Sequence, residues 1–231
     1  IVVAGGMESM SRAPFALVDA RFGYRMNNGV LIDTMVNDAL WDAFNDYHMM
    51  ITAENIAERW RITRKSADAF SAQSQQRCQN AIEQGSFREE IVPVTVCKRE
   101  ITTVVNQDEG PRVGVTEESL SHLSCASGKK GGIVTAGNAS GINDGAAAVV
   151  VMSGEKAFQL GVAPMATFVA GAIAGVDPAI MGIGPVAATR KVLDKIGLSA
   201  GDLNLIEVNE AFATQSIAVV RELGLDMDKV N

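Results

Sequence analysis

The chain has 231 residues, 47% of them hydrophobic and 20% charged, with a formal net charge of −7. The length suits one large domain or two small ones with an ordinary globular core. The negative charge argues against nucleic acid and anionic membranes as main partners, because both demand a basic face, and no apolar run of about 18 residues exists to span a bilayer.

Ile1-Val2-Val3-Ala4 reads as a short buried strand closed by Gly5-Gly6. With no basic leader and Glu8 soon after, it is read as a strand entering a turn and not as a signal peptide. The first residue is not Met, and the expectation is a chain that starts in mid-sequence or was processed. Residues 11–35 are mixed, with turns at Gly23, Asn27-Asn28 and Gly29, and read as a loop or hairpin outside the core. Helical spacing begins near Thr52 with Ile56, Ala57 and Trp60. A stronger helix follows, with Thr63 as N-cap. Ala67, Phe70, Ser74, Cys78 and Ile82 form its apolar stripe, and Gly85 its C-terminal stop.

Residues 91–96 and 101–105 alternate like strands, and Asp108-Glu109-Gly110-Pro111 is a turn. Thr116 caps a short helix containing Leu120, and Lys129-Lys130-Gly131-Gly132 is a flexible basic loop. From Ile133 small residues dominate. Gly145 to Met152 is a continuous apolar run, as expected of a strand buried on both faces. A helix (155–160), a strand (166–174), a helix (185–196) and a short strand (203–208) leading to Asn209 and a last helix to Leu223 complete the order. This alternation predicts an α/β domain with a mostly parallel sheet, bounded near residues 135–145.

Cys78, Cys97 and Cys125 lie far apart without C-x-x-C spacing, and only His48 and His122 accompany them. No zinc site is readable, and the odd count favours a reducing cytoplasm. Cys78, on the apolar stripe, reads as a core residue. Gly182-Ile183-Gly184-Pro185-Val186-Ala187 fits a dinucleotide fingerprint, with Glu207 downstream. The context is wrong, because residues 176–181 separate the preceding strand from the first glycine. Pro185 is explained by helix initiation.

Asn209-Glu210-Ala211-Phe212-Ala213 falls at the carboxyl end of a short strand, the edge where α/β sheets gather ligands. An Asn there can donate its amide to a water or a developing oxyanion, or it can simply cap the next helix. The residue types alone leave both readings open.

The resemblance that decides between them is spread along the whole chain. Val3-Ala4-Gly5-Gly6-Met7-Glu8-Ser9-Met10-Ser11, Tyr47-His48-Met49 and Thr52-Ala53-Glu54-Asn55 come first in order. Thr135-Ala136-Gly137-Asn138-Ala139-Ser140-Gly141-Ile142-Asn143-Asp144-Gly145, Met181-Gly182-Ile183-Gly184-Pro185 and Asn209-Glu210-Ala211-Phe212-Ala213 follow. Together they resemble the motifs of thiolases, in thiolase order. Phe22-Gly23-Tyr24-Arg25 and Tyr47-His48-Met49 resemble most the biosynthetic, acetoacetyl-CoA branch.

The resemblance implies a layered α/β/α/β/α fold, truncated here. Residues 1–10 would end its N-terminal half, 11–142 would form an inserted α+β loop domain covering coenzyme A, and 143–231 would start its C-terminal half. It implies an acetyl-CoA C-acetyltransferase that interconverts two acetyl-CoA with acetoacetyl-CoA and CoA through a Cys acyl-enzyme. By the same resemblance Asn209 holds a catalytic water at the thioester oxygen. Ser140 contacts the pantetheine arm, with Ala136 and Ala139 as walls. His48 and Met49 line the coenzyme tunnel and acyl pocket. Arg112 and Ser119 meet the nucleotide end, and Leu40, Met181, Ala211 and Phe212 are further lining positions. Read without the resemblance, His48 is a hydrogen-bonded core histidine and Arg112 a solvated loop charge.

Such a condensation needs a thiolate, a base and two oxyanion sites, and neither a metal nor a redox cofactor. The family's Cys-Gly-Ser-Gly nucleophile motif, its Gly-His-Pro motif and its second catalytic Cys are all missing from the sequence. The expectation is therefore that this chain alone has no turnover and exposes a sheet edge and an apolar face. Met50 stands where the family usually has Gly, and Ser124-Cys125-Ala126-Ser127-Gly128 replaces a Pro-Ala-Phe segment near the adenine. A homo-oligomer, a tetramer of the full-length protein through residues 21–33, also follows from the resemblance. The competing readings are a longer-chain 3-ketoacyl-CoA thiolase of fatty-acid degradation and a non-catalytic coenzyme A-binding or assembly protein.

Overall fold

Thr63 accepts the backbone N–H of Ser66 and Ser66 answers the N–H of Thr63, a reciprocal capping box that starts the longest helix, Arg64–Gln84. Gly85 ends it at φ +74°, a left-handed conformation that costs glycine least. The computed structural model describes all 231 residues. In chain order the strands are β1 (Val2–Ser9), β2 (Phe15–Ala16), β3 (Ile32–Asp33), β4 (Trp41–Asp42), β5 (Tyr47–His48), β6 (Val94–Lys98), β7 (Ile101–Val105) and β8 (Asp144–Val151). The helices are α1 (Met49–Arg59), α2 (Arg64–Gln84), α3 (Glu117–Ser121), α4 (Gly154–Leu160), α5 (Gly184–Ile196) and α6 (Ala213–Leu223). The chain divides into two units, Ile1–Thr52 with Ile142–Ser199, and Ala53–Gly141 with Ala200–Asn231.

In the first unit β1 pairs antiparallel with β8, from Val2 opposite Val151 to Ser9 opposite Asp144. Gly5 permits the close approach, since a Cβ there would lie 2.7 Å from the Ala147 carbonyl oxygen. Ser11 closes the far end by donating both its N–H and its hydroxyl to the Asp144 carboxylate. These bonds hold that carboxyl below its ordinary pKa. β2 pairs with β3 and β4 with β5, both antiparallel, so residues 11–35 do contain a short strand pairing. Ser153 caps α4, and α5 buries Val186 and Leu193.

The second unit holds the denser core. α6 is buried all round from Ala213 to Val220, and Ile56, Val134 and Val219 are completely or almost completely enclosed. α2 packs against α3 and α6. The polar residues of α6 are satisfied: the Thr214 hydroxyl donates to the Ala53 carbonyl at 3.1 Å, and no buried side-chain nitrogen or oxygen lacks a partner. Trp60 donates its indole N–H to Glu222 at 2.8 Å, while Arg59 lies over its ring. β6 and β7 make an exposed hairpin, with β6 beginning three residues after the alternation suggests.

Four sequence expectations are corrected. β1 and β8 are exposed along most or all of their length, not buried, because neither pairs with any strand but the other. Residues 166–174 form no strand, since no segment offers them a ladder. Residues 203–208 give only a parallel bridge, Ile206 to Val230. The sheets are accordingly four antiparallel pairs, and that bridge supplies the parallel pairing.

Candidate active site

Buried carboxylates build the loop at residues 133–140. Glu54 on α1 accepts the backbone N–H groups of Ile133 and Val134, each at 2.9 Å, and the Ser127 hydroxyl at 2.7 Å. Gly132 is required beside it, because a Cβ there would fall 2.5 Å from the Glu54 Oε1. One turn into α2, Asp68 is 1% exposed and takes the Arg64 Nε at 2.6 Å and the Asn138 Nδ2 at 3.0 Å. Asn138 is fully used: Oδ1 accepts the Thr135 N–H at 2.8 Å, and Nδ2 also donates to the Ile133 carbonyl at 2.9 Å.

That loop is then laced to the segment after Asn209. The Asn138 carbonyl accepts the Ala213 N–H, Ala139 bridges Phe212, and the Ser140 N–H donates to the Ala211 carbonyl at 2.9 Å. Ala139, Ser140, Ala211 and Phe212 are thus brought together, with Asn209 two residues away along the chain. Asn209 is exposed and does not cap α6, whose N-cap position is Phe212 with no side-chain cap. The helix-cap reading of Asn209 therefore falls. Ser140 is also exposed, and its hydroxyl makes only a long 3.4 Å contact to the Gly141 carbonyl. Ala136 is exposed on the same loop.

Glu210 is half-buried, and desolvation pushes its carboxyl pKa up against the opposing pull of Ser74 and Arg77. Arg77 also donates to the Val230 and Met227 carbonyls at 2.7 and 3.1 Å. Val230 pairs with Ile206, so one guanidinium on α2 braces the backbone leading to Asn209.

In the first unit, His48 ends β5 and Met49 begins α1. The His48 Nδ1 accepts the Met50 N–H at 3.1 Å, which leaves Nε2 as the protonated nitrogen of the neutral ring. Burial lowers the pKa of this histidine and favours that neutral form. Met50 therefore touches His48 through its backbone, a bond any non-proline residue at that position retains. Leu40 closes a π-helical turn, Val36–Leu40, and is half-buried. Met181 lies in the 3-10 turn Pro178–Ile183. That turn runs directly into α5, so no strand enters Gly182 and the dinucleotide fingerprint lacks its geometry.

Arg112 is exposed in a loop, with its backbone N–H on the Gln75 Oε1 at 2.9 Å. Ser119 is the third residue of α3. Its hydroxyl accepts the Thr116 N–H and donates to the Thr116 carbonyl, a second capping box. Neither residue is tied to the 133–140 loop by a hydrogen bond of its own. Among the cysteines, Cys78 has a thiol pKa raised by burial and by Asp108. Cys97 faces Thr102 on the exposed hairpin, and Cys125 contacts Ser127 at 3.0 Å. No helix is long and apolar enough to cross a membrane.

Sequence reading misses the supporting residues Arg64 and Asp68, although their i, i+4 spacing is visible. Chemically the second unit offers an exposed amide and an exposed hydroxyl beside the apolar Ala139, Ala211 and Phe212. This suits a ligand with a polar acyl-type group on an apolar arm.

Comparison with known proteins agrees along the whole chain. Residues 1–155 match the family described as "Thiolase, N-terminal domain", and residues 162–231 match "Thiolase, C-terminal domain". An acetyl-CoA acetyltransferase of Pseudomonas aeruginosa is 56% identical across 100% of this chain, which covers 59% of that relative. One from Syntrophomonas wolfei is 55% identical over the same shares. The chain thus spans well under two thirds of the length of the curated relatives it matches. The crystal structure of the Bacillus anthracis acetyl-CoA acetyltransferase superposes with a TM-score of 0.93 at 47% identity, over 99% of this chain and 58% of that one. Human mitochondrial 3-ketoacyl-CoA thiolase gives a TM-score of 0.93 at 42% identity, over 99% of this chain and 58% of that one.

Proposed function

Because this chain belongs to the thiolase family and carries its layered α/β fold in part, we propose that it is the central part of an acetyl-CoA C-acetyltransferase. The observation that carries the reading is the lacing of Ala139-Ser140 to Ala211-Phe212 beside an exposed, non-capping Asn209. In the proposed reaction a cysteine thiolate attacks the carbonyl carbon of one acetyl-CoA, a C–S bond forms, and CoA leaves as thiolate. A base then takes a methyl proton from a second acetyl-CoA. The enolate carbon attacks the acyl-enzyme carbonyl, a carbon–carbon bond forms, and the cysteine departs as thiolate.

The parts assigned here are supporting ones. Asn209 would hold the water that donates to the thioester oxygen, worth about 2–4 kcal/mol of transition-state stabilisation for a well-placed donor. Ser140 would anchor the pantetheine arm between Ala136 and Ala139, with Ala211 and Phe212 as apolar lining. His48 would present its Nε2–H to the acyl group, with Met49, Leu40 and Met181 shaping the pocket, and Arg112 and Ser119 would meet the nucleotide end. The nucleophile is proposed to lie outside these residues, since burial raises the Cys78 thiol pKa and none of Cys78, Cys97 and Cys125 sits in the nucleophile motif. No step calls for a metal or redox cofactor. A cytoplasmic tetramer that joins through residues 21–33 and serves fatty-acid metabolism completes the proposal.

A longer-chain 3-ketoacyl-CoA thiolase is the second reading, favoured by the similarity to the human mitochondrial enzyme. Against it stand the higher identities to acetyl-CoA acetyltransferases. The test is cleavage of acetoacetyl-CoA by the protein with its native flanks, over a series of acyl lengths. The proposal expects C4 to be cleaved best, no turnover from residues 1–231 alone, and a fall of roughly 10²-fold in kcat for Asn209→Ala. Turnover that peaks at long chains would move the assignment to the second reading. An unchanged Asn209→Ala would remove that residue's role.

A further inference from the structure

Asp68 is a buried carboxylate with no part in the chemistry proposed above, yet it stands at the root of the hydrogen bonds that hold both loops of the candidate site. It is 1% exposed, and its two oxygens are divided between Arg64 at 2.6 Å and the Asn138 amide at 3.0 Å. Arg64 is itself tied down, donating to the Leu120 and Leu123 carbonyls at 2.6 and 3.0 Å. Asp68 is thereby fixed in position, and together with the Ile133 carbonyl it sets which way the Asn138 amide points. With Nδ2 turned to Asp68, Oδ1 must face the Thr135 N–H. That choice bends the loop so that the Asn138 carbonyl receives the Ala213 N–H and Ser140 reaches the Ala211 carbonyl.

We propose that Asp68 is a positioning residue. By fixing the orientation of Asn138, it sets the distance between Ser140 and the Asn209–Phe212 segment and so tunes binding of the thioester's pantetheine arm. The role of the arm rests on the thiolase reading, whereas the control of loop geometry does not. A buried charge on a fully satisfied amide is a stiff support, because reversing the amide would leave two donors or two acceptors face to face in a low-dielectric core.

Two variants test this in the protein with its native flanks. Asp68→Asn keeps the shape but removes the charge that orients Asn138. It should raise KM for acetoacetyl-CoA roughly tenfold with little change in kcat, and in a double-mutant cycle with Ser140→Ala the two effects should not add. Asn138→Asp sets two carboxyls against each other, a repulsion relieved only when one of them takes up a proton. KM for this variant should be high at neutral pH and fall toward the parent value in mild acid. Ile56→Val, a destabilising core change on α1 outside both loops, should leave KM alone. Amide hydrogen exchange gives a readout free of activity: Asp68→Asn should lose protection at Thr135, Ser140 and Ala213 and keep it at Val219. Unchanged protection at those three amides, or additive KM effects, would overturn the inference. Lost protection in a protein that never cleaves acetoacetyl-CoA would keep the positioning role and sink the acetyl-CoA acetyltransferase reading.

Discussion

The β1–β8 sheet and the α1–α2–α6 core both carry aliphatic residues, yet those of one are bare and those of the other sealed. Val2, Val3, Met7, Val149, Val150 and Val151 are all more than half exposed. Ile56, Val134 and Val219 show almost nothing to solvent. A strand pair satisfies its backbone ladder with one partner but needs further layers to cover its two faces. Helices α1, α2 and α6 find their covering layers inside the same 231 residues. Hydrophobic pattern therefore predicts which residues seek burial, and only the available neighbours decide which obtain it.

The sharpest way to break this contrast is a pair of truncations. Ile56→Ala should cost about 2–5 kcal/mol of unfolding free energy, the usual loss for an enclosed aliphatic side chain. Val150→Ala should fall within about 0.5 kcal/mol for the 231-residue chain, as for exposed positions. Urea denaturation of both variants checks it, and equal losses would mean that the sheet is covered in solution, for example by self-association. Next in size, Asp68→Ala should cost about 2–3 kcal/mol, because the Arg64 guanidinium and the Asn138 amide would both lose a charged partner. Thr63→Ala should remove about 1 kcal/mol by opening the capping box at the start of α2, measured by the same unfolding curves.

The smallest effects are the pH-linked ones. Folding raises the Glu210 pKa, so its contribution is present in acid and is lost as pH rises through the folded-state value. Glu210→Gln should therefore raise Tm at pH 7 and not at pH 4. Folding lowers the His48 pKa, so its contribution is present above the ordinary histidine range and is lost as pH falls through the depressed value. A Tm profile of His48→Gln that runs parallel to the parent between pH 5 and 7.5 would show that His48 is not the group responsible.

Much of the fold is legible in the local sequence, and the reasons are local. Thr63 and Gly85 bracket α2 as the caps require, Thr116 starts α3, and Pro185 sits in the first turn of α5. The site is legible in its motifs, because the Asn138-Ala139-Ser140 and Asn209–Phe212 segments are recognisable as text. Their joining is not, since Ala139 and Phe212 lie far apart in the chain and nothing in either segment names the other. Arg64 and Asp68 show their helical spacing but not that Asp68 also reaches Asn138.

By itself, then, the sequence determined where helices start and stop, which residues are apolar, and the order of the motifs that mark the family. These depend on interactions within a few residues or on the identity of side chains. Tertiary structure alone decided which apolar strands are covered, that residues 166–174 remain unpaired, and that Asn209 is exposed instead of capping α6. It also decided that one buried carboxylate orients the loop beside Asn209. Each of these rests on partners distant in the chain, whose arrival depends on the whole fold and not on local preference.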